Sequence, residues 1–178
     1  MQLKQMACLV VAAGVVMGLC VRSSYARGLA ATDKGFMKDA AQAGHLELQA
    51  ARLALQRSSN ERVADFATMM IQDHEQLAQE LAALAKARHV ELPATPTLMQ
   101  RGKLAFLQEA KGEQFDADYA NEVALKAHET TIKLFEDYIE KGRDRELMGF
   151  VQDALPLLRQ HLQHAHVLAD SMKPALAQ

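Results

Sequence analysis

The chain has 178 residues, with 20 basic and 22 acidic side chains, a formal net charge of −2 and 49% hydrophobic residues. That length suits one domain around a single core. The slightly acidic balance, with no basic stripe interleaved with aromatics, argues against a nucleic-acid partner.

Residues 1–26 read as a cleaved export signal. Lys4 gives a positive start, Met6 to Val21 is an apolar run, and Ser24-Tyr25-Ala26 offers small residues where a signal peptidase reads them. The run is shorter than the ~20 apolar residues of a membrane-spanning helix. Gly28-Leu29-Ala30 is a second cleavage option, and Leu19 before Cys20 fits a lipoprotein signal poorly. Both cysteines, Cys8 and Cys20, fall in this segment, so the processed chain has no disulfide, thiolate ligand or cysteine nucleophile. Losing Lys4 and Arg22 with it takes the net charge from −2 to −4. The processed chain reads as a periplasmic or envelope-associated protein with no integral membrane segment. Residues 27–32 are a linker, 33–172 the domain and 173–178 a tail; the oligomeric state is left open.

Thr32-Asp33 can cap a first helix reaching about Ser58, with a buried stripe of Phe36/Met37, Ala40/Ala41, Ala43/Gly44, Glu47/Leu48, Ala50/Ala51 and Ala54/Leu55. His45 lies on the opposite, solvated face. Ser58-Ser59-Asn60 is a tight, well-capped break, and a second helix runs from Glu61 to about His89. Its stripe is Val63, Phe66/Ala67, Met70, His74, Leu77, Leu81 and Leu84. Residues 90–112 are a long connection that opens with Leu92-Pro93-Ala94-Thr95-Pro96 and holds a helical patch from Leu98 to Ala110. A third helix spans about Glu113 to Lys141, with Leu125, His128, Ile132, Phe135 and Ile139 inward. Gly142 ends it and Asp144 caps a fourth, reaching about Met172. That last stripe is Leu147, Phe150/Val151, Ala154, Leu157/Leu158, His161, His164/Ala165 and Leu168, and Pro156 inside it predicts a kink.

Short, long and short connections pair helices one and two antiparallel, and three and four likewise. The long crossover leaves the second and third helices parallel. This is the all-α, ferritin-like four-helix bundle rather than the simple up-down-up-down arrangement.

One ionisable residue interrupts each apolar stripe near mid-length: Glu47, His74, His128 and His161. They sit about 13 to 17 residues into their helices, so at ~1.5 Å per residue their levels differ by only ~6 Å. Buried and unpaired, each would cost about 1–3 kcal/mol or more. A transition metal (Fe, Zn, Mn or Cu) held by three neutral imidazoles and a carboxylate would satisfy them. A hydrogen-bonded network around a trapped water is the alternative. Asp73 can orient an imidazole, and His164, one turn after His161, is a further candidate ligand. His89 and His166 read as solvated, and Met69 and Met70 as core. No nucleophile elbow, phosphate-cradling loop or dinucleotide fingerprint is present.

The phrases Phe66-Ala67-Thr68-Met69-Met70-Ile71-Gln72-Asp73-His74, Phe115-Asp116-Ala117-Asp118-Tyr119 and Leu155-Pro156-Leu157-Leu158-Arg159-Gln160-His161-Leu162, with Glu47 and His128, carry a resemblance. Over about residues 33–172 the chain resembles a bacterial family of exported proteins built on a domain of unknown function. That family is grouped with the ferritin-like superfamily and its members are often labelled predicted outer membrane proteins. The resemblance implies a ferritin-like bundle in the cell envelope and no particular activity. Di-iron ferritins carry Glu-x-x-His pairs. Here Ile71, Leu125 and Leu158 stand three residues before the histidines, which argues against an oxygen-activating two-iron carboxylate centre.

The sequence therefore points to metal binding, buffering or stress protection through Glu47, His74, His128 and His161. A redox metalloenzyme acting on oxygen or peroxide, and a non-enzymatic envelope scaffold with a buried polar network, are the rival readings.

Overall fold

The computed structural model describes residues 29–173. The expected export signal with both cysteines, residues 27 and 28 of the linker, and residues 174–178 of the tail lie outside the described residues. Among the described residues the protein is helical, with no strand. Its elements are α1 (Ala31–Arg57), α2 (Glu61–Ala87), α3 (Leu98–Glu109), α4 (Gly112–Asp118), a π-helical segment (Tyr119–Leu125), α5 (Lys126–Lys141) and α6 (Arg145–Ser171). Among these residues no helix is long and apolar enough to cross a membrane.

Side-chain caps set several of these boundaries. The Asn60 side chain accepts from the Arg62 N–H and Asp144 from the Leu147 N–H, and Thr97 with Gln100 forms a reciprocal capping box that starts α3. The short α1–α2 and α5–α6 connections and the long crossover fall where the sequence places them.

The start of the first helix differs from expectation. Ala30, not Thr32 or Asp33, is its N-cap and makes no side-chain cap. Asp33 is instead buried, accepting from the Tyr138 hydroxyl at 2.8 Å and the Arg143 backbone N–H at 2.9 Å. The first turn of α1 is thus anchored to the far end of α5.

The long helix of residues 112–141 departs from simple α geometry in a way the sequence reading missed. Within the π segment the Lys126 N–H reaches back five residues to the Asn121 carbonyl. The cause lies in the burial pattern: Phe115, Tyr119, Val123, Ala127 and Thr131, all buried, recur every four residues. On an α-helix each such step drifts about 40° around the axis. The wider turns of the π segment absorb that drift and keep the row facing inward. Near the end of α5 the expected Ile139 is exposed, and Tyr138 is buried in its place against Phe36 and Asp33.

The four long helical stretches contact one another in a ring: α1 with α2, α2 with α6, α6 with α5, and α5 with α1. Contacts at the ends fix direction. Phe36 near the start of α1 stacks on Tyr138 near the end of α5, with ring centroids 4.2 Å apart. At the end of α2, Arg88 is paired with Asp144 at the start of α6 through its Nε, 2.9 Å from Oδ2. Each helix is therefore antiparallel to both neighbours in the ring, and α2 and α5 run in the same direction across the diagonal. Gly142, where α5 turns into α6, is packed so closely on the Tyr138 ring that a Cβ there would overlap it.

The core divides into two apolar clusters. One gathers Ala50, Ala54, Val63, Phe66, Met70, Phe115, Tyr119, Val123, Ala165 and Leu168. The other gathers Phe36, Met37, Leu81, Ile132, Phe135, Leu147, Phe150, Val151 and Leu158. Between them lie Glu47, His74, His128, Thr131 and His161, all buried.

Candidate metal centre

Each of these polar residues comes from the middle of a long helical stretch: Glu47 from α1, His74 from α2, His128 and Thr131 from the stretch 112–141 that α5 completes, and His161 from α6. Antiparallel packing of similar lengths brings those midpoints to one level. The four residues singled out in the apolar stripes do meet there.

The three imidazoles form a nearly equilateral triangle. Ring centroids are separated by 5.5 Å for His74–His128, 5.3 Å for His74–His161 and 5.5 Å for His128–His161. One nitrogen from each ring can be chosen so that all three lie within 4.8 Å of one another. The centre of such a triangle is about 3 Å from each centroid (the separation divided by √3), close to a metal–nitrogen bond of about 2.0–2.1 Å plus half a ring.

Two carboxylates contact the rings. His161 Nε2 donates to Asp73 Oδ2 at 2.8 Å, which leaves His161 Nδ1 buried without a partner. His74 Nδ1 lies 3.1 Å from Glu47 Oε2, and His74 Nε2 has no hydrogen-bond partner. His128 has neither ring nitrogen hydrogen-bonded, its Nδ1 being 4.0 Å from Glu47 Oε1. That Oε1 accepts from the Thr131 hydroxyl at 3.0 Å.

The protonation states favour ligation. Burial pushes His128 below the ordinary histidine range, and it pushes His161 down to about 4 despite the opposing Asp73 carboxylate. Both are neutral near pH 7, as imidazole ligands must be. Burial would raise the Glu47 carboxyl, but the facing His74 and His128 and its hydrogen-bond partners outweigh this and hold it at about 2. The layer at neutral pH therefore combines a carboxylate with the neutral imidazoles of His128 and His161, and one nitrogen from each of the three rings lies within 4.8 Å of the others. Such a donor set suits zinc, iron or copper.

The structure places Asp73 at the edge of the layer, where its side chain is 27% exposed. His164 lies outside it: exposed, it has its Nδ1 3.3 Å from Met69 Sδ. His45, expected on the solvated face, is half-buried with Nε2 3.0 Å from the Pro93 carbonyl oxygen. Thr131 was missed by the sequence reading. Its signal was a hydroxyl at the inward position one turn after His128, hidden by the apolar Ile132 beside it.

A family model described as Domain of unknown function (DUF4142) matches residues 21–168. No curated protein and no solved structure matches the chain.

Proposed function

The chain belongs to the DUF4142 family, and on that premise we propose that it is an exported metal-binding protein. His74, His128 and His161 are the ligands of one transition-metal ion. Glu47 and Asp73 orient two of the rings, and Glu47 is close enough to His74 and His128 to supply a fourth, carboxylate ligand. The observation that carries this reading is the set of buried ring nitrogens without partners, His74 Nε2, His161 Nδ1 and both nitrogens of His128. A dry scaffold without an ion would leave that many orphans at a cost of about 1–3 kcal/mol each. One ion satisfies three of them together.

The proposed architecture is the ferritin-like four-helix bundle, with α4, the π segment and α5 as its third helix and α3 riding on the crossover. The helix directions and the diagonal placement of α2 and α5 support it. The proposed location is the periplasm or cell envelope, on the strength of residues 1–26. With three imidazoles and a carboxylate around one ion, the role is metal binding, buffering or stress protection rather than rapid turnover, since catalytic sites keep an open position.

The test is elemental analysis of residues 27–178 purified from the periplasm without chelator or affinity tag, beside a variant with alanine at positions 47, 74, 128 and 161. Near-stoichiometric metal in the first and none in the second supports the site. Metal-free samples of both, even after reloading with zinc, iron, manganese and copper, overturn it.

A further inference from the structure

The crossover helix α3 packs on α1 and α4 through a narrow inward edge, Leu104 and Leu107. Its outward side is apolar. Leu98 and Met99 are each 78% exposed and Phe106 is 62% exposed. At about 100° per residue these three share one arc with the exposed Gly102 and Ala105. Large apolar side chains scattered singly need no explanation, whereas a cluster on one face of one helix marks a contact surface. The helix is also held in place before any contact. Thr97 and Gln100 close the capping box at its start, and at its end the Arg57 guanidinium donates to the carbonyls of Gln108 at 2.6 Å and Ala110 at 3.2 Å.

Charge identifies what covers this face. Arg101 and Lys103 stand at the two borders of the arc, between it and the inward edge. Both are exposed, and neither forms an ion pair among the described residues. Residues 98–111 carry three cations, Arg101, Lys103 and Lys111, against one anion, Glu109. Asp118 and Glu122 line a groove with Lys103 and Phe106, but Asp118 accepts from Gln114 and Glu122 is paired with Lys126. An apolar strip with a cation along each border fits the boundary between acyl chains and anionic headgroups, where long basic side chains reach outward to phosphate. A second copy of the chain fits it poorly. A face ~18 Å long and ~10 Å wide offers ~180 Å², far below the ~800 Å² per partner of a stable interface.

We propose that α3 docks the protein on the surface of an anionic phospholipid bilayer. Leu98, Met99 and Phe106 enter the acyl boundary, and Arg101 and Lys103 meet the headgroup phosphates. The helix lies along the membrane and, at 12 residues, is too short to cross it. It contributes no side chain to the histidine layer, so the docking and the metal reading can fail separately.

The processed chain, residues 27–178, is tested by co-sedimentation with vesicles of phosphatidylglycerol and phosphatidylcholine in equal parts, and of phosphatidylcholine alone. The chain has no tryptophan, so Phe106→Trp reports on α3 and Val167→Trp, at a 70% exposed position of α6, on a distant face. Binding to the mixed vesicles is expected, at least about tenfold weaker to phosphatidylcholine and falling as salt rises. Emission from Phe106→Trp should shift to the blue on binding, and emission from Val167→Trp should not. The pairs Met99→Ser with Phe106→Ser and Arg101→Glu with Lys103→Glu should each lose at least about tenfold in vesicle affinity at an unchanged melting temperature, since all four side chains are exposed. Absence of binding to the mixed vesicles, full affinity in either pair, or a blue shift at position 167 in place of 106 overturns the docking. Equal binding to both kinds of vesicle overturns the anionic assignment. A lipid-free dimer that becomes monomeric in the serine pair assigns the face to a second copy and overturns the proposal.

Discussion

Asp73 on α2 and His161 on α6 are joined by a 2.8 Å hydrogen bond that leaves the opposite ring nitrogen of His161 buried and free. A carboxylate behind an imidazole fixes its tautomer and orientation and raises its basicity as a ligand. Asp73→Asn should therefore weaken metal affinity by about 10–100-fold without abolishing it. Alanine at His74, His128 or His161 should remove the bound metal altogether. Competition with a chromophoric chelator separates the two classes. Equal affinity in Asp73→Asn and wild type would show that the contact does not act on the ligand.

The Asp33–Tyr138 contact is a structural anchor remote from the histidines. Burial and Asp33 together push the Tyr138 phenol well above its ordinary range, so the hydroxyl remains a donor at any physiological pH. Tyr138→Phe should cost about 1–3 kcal/mol of folding stability by denaturant titration, since the buried carboxylate loses one donor of its two. Metal content should be unchanged. Asp33→Ala should cost more, because it strands both the phenol and the Arg143 N–H.

Acid should unfold the metal-free protein through its histidines. His128 and His161 titrate lower in the folded than in the unfolded state, so the unfolded chain binds more protons as pH falls below about 6.5. Their contribution to stability is complete above that pH and is lost progressively toward about 4. Glu47, held at about 2, stays ionised through this window. Urea midpoints of chelator-treated protein at about pH 7.5, 6 and 5 should fall steadily. His161→Gln should flatten that fall, and an unchanged slope would contradict the assignment.

The π segment makes a sharper demand on the chain. Asn121 is exposed, with its side chain bonded only to the Ala117 carbonyl. Asn121→Ala should be nearly neutral. Inserting an alanine after Asn121, by contrast, should turn Phe115 and Tyr119 about 100° away from the face that carries His128. A large drop in melting temperature is expected for the insertion alone.

The fold was legible because its determinants are local. Ser58-Ser59-Asn60, the Pro93 and Pro96 crossover and the Gly142–Asp144 turn mark the connections, and helix length then fixes which midpoints meet. The same logic exposed Glu47, His74, His128 and His161, since an ionisable residue in an apolar stripe is a local anomaly. What stayed hidden depends on distant partners. Asp33 has the sequence signature of a cap, and only the end of α5, over a hundred residues on, draws it inward. Ile139 and Tyr138 exchange roles because Phe36 and Asp33 of α1 draw the tyrosine inward. Two neighbouring histidines of α6, His161 and His164, are told apart only by their surroundings: the first is enclosed in the layer and the second is exposed beside Met69.

The polar layer crosses the interior at mid-height and leaves apolar side chains above and below it in separate groups. Each long helix therefore takes part in two cores, and the seam between them is held by groups whose mutual affinity an ion or a proton can change. Cooperativity becomes an adjustable property of the molecule. Hydrogen exchange on metal-stripped protein should resolve two sets of amides, one around Phe66 and Tyr119 and one around Phe135 and Phe150, opening with different free energies. With metal bound the two sets should converge on a single global opening, so that a supply of the ion decides whether the chain unfolds as one unit or as two.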